Sequence, residues 1–97
     1  MIIIRDVFQA KYGKGGDLVA LIKEARATWL AAYATGRILT DASGQFFTVV
    51  TETEVESLAD WEQRAAEVFA RPEFGDWFSR MTALVESGRR EFYHLES

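Results

Sequence analysis

The 97-residue chain contains no cysteine, one histidine and one proline. Without cysteine there is no disulfide, no thiolate metal site and no sulfur nucleophile, and the composition fits a reducing compartment. The lone histidine, His94, has no carboxylate or second histidine at a ligand spacing, so metal chemistry has no support. No serine stands at a motif spacing from it either, which leaves no hydrolytic triad. Long apolar runs are missing as well. The opening Met1-Ile2-Ile3-Ile4 meets Arg5 and Asp6 at once, too short for a signal peptide, and no segment approaches the ~18 apolar residues of a membrane span. A cytoplasmic protein with no membrane partner is expected. Positive charge is scarce: 11 Lys and Arg stand against 15 Asp and Glu, for a net charge of -4. The basic residues are scattered rather than striped, which removes nucleic acid as a partner.

What the chain has in quantity is apolar and aromatic surface. Hydrophobic residues make up 48% and charged residues 27%, a globular composition, and three Trp, seven Phe and three Tyr are more large rings than water tolerates. The length supports one core, so residues 1–97 are read as a single domain.

Ile2 to Ala10 is rich in β-branched and aromatic residues and ends at Lys11-Tyr12-Gly13-Lys14-Gly15-Gly16-Asp17, where glycines break the pattern. This stretch lacks the Lys-Ser/Thr ending of a Walker loop, and a GxGxxG reading would need glycine where Leu18 stands, so turn geometry explains the glycines. With Asp17 as N-cap, Leu18, Leu21, Ile22, Ala25, Trp29, Ala32 and Tyr33 fall on one helical face. Lys23, Glu24 and Arg26 take the wet side, and Gly36 ends the helix. Arg37 to Asp41 forms a short strand, Ala42-Ser43-Gly44 a hairpin connection, and Gln45 to Glu54 a third strand.

Ser57 and Asp60 have capping-box spacing before the apolar stripe Leu58, Trp61, Ala65, Val68 and Phe69. Pro72 breaks the axis near Arg71 and opens a third helix carrying Phe74, Trp77, Phe78, Met81, Leu84 and Val85. Ser87-Gly88 stops it before a last strand, Arg89 to Glu96. The order β-α-β-β-α-(α)-β is that of an α+β, ferredoxin-like fold, a four-stranded antiparallel sheet with helices on one face. Strand three places Phe46 and Val50 on one face and Phe47 and Val49 on the other, so both faces of the sheet need cover. A second copy stacked sheet to sheet about a two-fold axis provides it, and a homodimer is expected.

The strand running into Lys11-Tyr12-Gly13, the small or acidic helix start behind it and, above all, a helix closing in Ala70-Arg71-Pro72-Glu73-Phe74 before an aromatic helix resemble the dimeric α+β barrel proteins. More narrowly they resemble the NIPSNAP-like and antibiotic biosynthesis monooxygenase-like families. The resemblance covers most of the chain and rests on turn and packing residues, which specify a fold rather than a chemistry. It implies a homodimer and admits activities from cofactor-independent oxygenation of polycyclic phenols or quinols to heme degradation, isomerisation and stress response. Heme-degrading members carry an Asn on strand one, a Trp on the second helix and a His on the third. Those places fall on Asp6, Val68 and Phe78 here, so heme degradation is not expected, and no cofactor or metal is implied.

The candidate chemistry centres on Asp6. It shares a strand face with Ile2, Ile4, Phe8 and Ala10, and a carboxylate desolvated in an apolar wall tends toward its neutral form, the property a general base or proton donor uses. The alternative is a structural pair with an arginine. Arg5 points to the presumed dimer face. Around Asp6, the rings of Trp29, Tyr33, Trp61, Trp77 and Phe78, with Val68, could line a pocket for a small aromatic ligand, with Tyr33 and Asp6 as its polar anchors. Equally, rings at helical spacing form solid core. The two readings are a monooxygenase-like enzyme with Asp6 as base and a noncatalytic dimeric module. His94 is expected at the dimer face or the sheet rim, without a catalytic role.

Overall fold

A computed structural model describes residues 1–31 and 35–97 of the chain. Tyr33 therefore lies outside the described residues. The elements are β1 (Ile2–Ala10), α1 (Gly15–Ala27), β2 (Arg37–Thr40), β3 (Thr48–Val55), α2 (Leu58–Phe69), α3 (Phe74–Thr82) and β4 (Val85–His94). The strands make one sheet in the order β2-β3-β1-β4, and every neighbouring pair is antiparallel. This is the expected ferredoxin-like arrangement.

Alternation along β1 divides the sheet into two faces. Ile2, Ile4, Asp6, Phe8 and Ala10 face the helices: Ala10 joins Leu18 and Ile22 of α1 and Val49 of β3 in one buried cluster, with Trp77 and Met81 of α3 packed on it. At the other end of the strands, Ile2, Ile4 and Val55 form a second cluster, on which Trp61 of α2 packs. Between the two clusters the helix-side residues of β3, β1 and β4 are polar. Asp6 stands opposite Thr51 on β3 and opposite Arg90 on β4, and on β2 the row ends in the apolar Ile38. The core is thus split, and a polar row crosses three of the four strands at the split.

Several boundaries differ from the sequence reading, among them the start of α3, which opens at Phe74 with Pro72 ahead of it. Helix α1 starts at Gly15 behind Lys14, which makes no side-chain cap, so Asp17 is a first-turn acid rather than the N-cap. It stops at Ala27, where the Thr28 hydroxyl donates to the Glu24 carbonyl at 2.8 Å and the Leu30 amide turns back to the Ala25 carbonyl at 2.8 Å. Gly36 does not end this helix. Its role is close approach: a Cβ there would collide with the Glu52 carbonyl oxygen.

Strand β3 begins at Thr48 because residues 41–47 are spent on turn chemistry. Phe47 has φ +59°, the Asp41 carboxylate accepts from the Thr48 amide at 3.1 Å, and Gln9 Nε2 donates to the Phe46 carbonyl at 2.7 Å. Phe46 and Phe47 therefore do not line the two faces of the sheet. Phe47 instead lies edge-on to Tyr12, ring centres 4.9 Å apart. Only Val49 and Val50 keep the expected opposition, and they do so within β3. Finally, Ser87 and Gly88 belong to β4 rather than to a helix end, and Leu84 and Val85 lie beyond α3. Gly88 pairs with Phe8, and the Phe8 ring occupies the space over it.

The capping box forms, with a difference. Ser57 Oγ accepts from the Asp60 amide at 3.1 Å, and the shorter Asp60 carboxylate reaches the Glu56 amide at 3.4 Å, one residue before the cap. None of the residues of α2 or α3 is fully buried. Helix α3 is tied to α1 by the Trp77 indole N–H on the Leu21 carbonyl at 3.3 Å and by a forked Arg80–Glu24 pair at 3.2 and 2.9 Å. Helix α2 rests mainly on Trp61.

Candidate functional site

The gap in the core is a cleft. A cavity of about 220 Å³ lies over the polar row. Its floor is Ile4, Asp6, Phe8, Thr51, Thr53, Val55 and Arg90, and its walls come from Ile22, Arg26 and Leu30, from Trp61, Arg64, Ala65, Val68 and Phe69 of α2, and from Trp77 of α3. It is smaller than the ~300 Å³ at which drug-sized sites begin. It is larger than the ~150 Å³ that holds a benzene ring, so a single substituted ring is the size that fits without moving α2. A larger hollow, about 610 Å³, wraps the end of the sheet among Arg37, Glu52, Glu54, Glu56 and Arg64. Among the described residues it has no aromatic wall, and the smaller cleft is the better-built site.

Asp6 is not alone in its apolar wall. Arg90 grips it by a fork, Nε to Oδ1 at 2.6 Å and Nη2 to Oδ2 at 3.4 Å. Trp61 lies over the same guanidinium, 5.0 Å from ring centre to Cζ, and meets Phe92 edge-on at 5.1 Å. Arg90 is therefore fixed by a carboxylate on one side and an aromatic face on the other. Of the two carboxylate oxygens, Oδ2 is the loosely held one and keeps acceptor capacity for a ligand hydroxyl. Arg64 is paired with Asp60 at 3.4 Å.

Arg26, expected on the wet side of its helix, lines the cleft instead, because α1 ends one residue later and the chain folds over it at Leu30. Its Nη1 donates to the Gly36 carbonyl at 3.0 Å. Burial lowers its pKa from the ordinary guanidinium value, the direction expected for a cation taken out of water without a carboxylate.

Of the residues expected from sequence to line a site, Asp6, Trp61, Val68 and Trp77 come together around this cavity. Trp29 stands outside it, edge-on to Trp77 at 6.0 Å, beside a separate hollow of about 300 Å³ between α1 and α3. Phe78 stacks on Phe74 at 5.5 Å and turns outward, 44% exposed. His94 pairs with Ile2 on the edge strand β4. It is therefore at the sheet rim and on the helix side, not on the opposite face. Sequence reasoning passed over Arg26, Arg64, Arg90, Thr51 and Thr53. Arg90 had a signal: antiparallel pairing of the first and last strands from their outer ends, Ile2 with His94, puts Asp6 opposite Arg90.

The other face of the sheet carries Ile3, Arg5, Val7 and Gln9 of β1, Val50 and Glu52 of β3, Leu39 and Arg37 of β2, and Tyr93 of β4, by register. At its centre Glu52 is only 9% exposed, held by Arg5 at 2.7 Å and by Arg37 at 2.6 Å. The Arg5 hydrogen bond first, then that of Arg37, holds the Glu52 carboxyl below the usual carboxylate range. Arg5 also lies over the Tyr93 ring at 5.1 Å.

Solved structures with this architecture were found across the whole chain. A NIPSNAP domain protein from Burkholderia xenovorans superposes with a TM-score of 0.90 at 16% identity, covering 100% of this chain and 96% of its own. A NIPSNAP family protein from Agrobacterium tumefaciens gives 0.86 at 17% identity, over 96% and 90% of the two chains. SnoaB of Streptomyces nogalater, a cofactor-independent oxygenase, gives 0.71 at 11% identity, over 99% and 93%. At such identities the likeness is one of fold. No protein-family model matches the sequence, and no curated protein matches it.

Proposed function

We propose that the chain is a small homodimeric α+β barrel protein that binds a single-ring aromatic molecule in the cleft over the Asp6–Arg90 row. The observation that carries this reading is the split core: two apolar clusters separated by Thr51, Asp6 and Arg90 in one row, with a cavity of about 220 Å³ above them. A fold selected only for stability gains by closing such a gap with apolar side chains, at about 25 cal/mol for each Å² buried. Keeping three polar groups there, two of them paired and all three on the cavity, is the pattern of a ligand pocket.

The catalytic extension follows the oxygenase likeness. A bound phenol would give its proton to Asp6 Oδ2, with Arg90 balancing the charge, and the electron-rich phenolate would meet dioxygen without a cofactor, the substrate itself supplying the electrons. Trp61 and Trp77 would hold the ring. The competing reading, a module that binds without turnover, is favoured by one observation: Arg90 already occupies both oxygens of Asp6. Oxygen uptake with a single-ring hydroquinone separates them. Uptake by the wild type that Asp6→Asn abolishes, with hydroquinone still bound, supports the oxygenase. Binding without uptake leaves the binding module, and no binding by either protein removes the cleft reading.

The dimer is supported by the face opposite the helices. Ile3, Val7, Leu39, Val50 and Tyr93 form its apolar part, and in the Arg5–Glu52–Arg37 bridge each charge has a partner, which makes the group less costly to cover than isolated charges although one positive charge remains over.

A further inference from the structure

The charge around the cleft is opposite in sign to that of the chain. The protein is net -4, yet the charged residues lining the cavity are Arg26, Arg64 and Arg90 against Asp6 alone. Arg90 is neutralised by Asp6, and Arg64 by Asp60. Arg26 has only the Gly36 carbonyl, and no carboxylate among the described residues pairs with it. One positive charge is thus left over, half-buried, in a wall otherwise made of Ile22, Leu30 and the rings of α2 and α3. Desolvating a cation is costly unless an anion accompanies it.

The guanidinium also has the geometry for one partner in particular. With Nη1 spent on Gly36, the Nε and Nη2 hydrogens form an edge that matches the two oxygens of a carboxylate. Resting on the cleft reading above, we infer that the ligand is an aromatic carboxylic acid, its ring against the apolar wall and its carboxylate on Arg26. Such a ligand supplies the missing negative charge and fills a space too small for a polycyclic substrate. The Asp6–Arg90 end then remains available to a second ring substituent.

Benzoate and benzamide test this, since they share shape and differ in charge. Titrations followed by amide NMR should give benzoate at least about tenfold the affinity of benzamide, with benzoate binding weakened by salt and benzamide binding unaffected. Arg26→Gln keeps a donor for Gly36 and removes the charge. It should bring the two affinities together by weakening benzoate alone, whereas Arg26→Lys should keep part of the preference. Equal affinities in the wild type, or a benzoate preference that survives in Arg26→Gln, would overturn the inference. The wild-type comparison and its salt dependence decide the matter even where a variant fails to fold. Binding of neither molecule would instead remove the cleft reading itself.

Discussion

Asp6 and Glu52 sit on neighbouring strands and opposite faces, and each is answered by arginine in a different way. Asp6 has one arginine and lines the aromatic-walled cleft; Glu52 has two and lines the larger hollow at the end of the sheet. Asp6→Asn removes a half-exposed pair, so it should cost about 1 kcal/mol in urea denaturation, near the top of the range for such pairs. Glu52→Gln should cost more, about 1–3 kcal/mol at neutral pH, because two guanidinium groups lose the charge they were placed to meet. That cost is pH-dependent with a definite sign. The folded-state pKa of Glu52 is depressed, so its contribution is complete above the unfolded value of about 4.3 and is lost as pH falls through the folded value. Wild type and Glu52→Gln should therefore converge in stability toward pH 3, and a gap that stays constant from pH 7 to pH 3 would refute the role given to the bridge. Glu24 and Glu91, held low by Arg80 and Arg89, and Glu73, held low first by its own backbone N–H and then by Arg71, act in the same direction on the exposed surface. At this scale the sequence was partly legible. Face alternation singled out Asp6, but its partner depended on strand register, and Arg26 looked wet because helical periodicity says nothing about where a chain folds back.

Among the elements, the strands were read most accurately, since runs such as Ile2 to Phe8 and Thr48 to Thr51 carry β-branched residues that suit a pleated surface. The errors lie at ends where side chains bond the backbone. Thr28 closing α1 and Asp41 capping the start of β3 are local hydrogen bonds that apolar patterning cannot register. Helix α2 has the most exposed footing: none of its residues is buried, while α3 is tethered to α1 by Trp77 and Arg80. Its amides should accordingly exchange faster than those of α1 in native-state hydrogen exchange. Replacing Ser57 by Ala should cost about 1 kcal/mol and speed that exchange further. Because α2 supplies five residues of the cleft wall, a bound ring should slow its exchange, linking ligand to the least anchored element.

On the scale of the whole molecule, the fold was legible because the order of strands and helices in a chain of this length leaves few alternatives. The proposed dimer rests on different residues from those expected from sequence. Phe46 and Phe47 leave the sheet, and Ile3, Val7, Leu39, Val50 and Tyr93 take their place. Val7→Glu, at the centre of that face, should shift the solution mass from dimer to monomer in light scattering, while leaving the helix side of the sheet intact. A wild type that is already monomeric at micromolar concentration would remove the sheet-to-sheet partner. The most direct measurement concerns the split in the core: an amide NMR titration of the wild type with benzoate. Saturable shifts confined to Ile4–Phe8, Ile22, Arg26, Leu30, Thr51–Thr53, Arg90 and α2 are the predicted result; no saturable shifts, or shifts centred on the opposite face, would contradict a ligand site over the Asp6–Arg90 row.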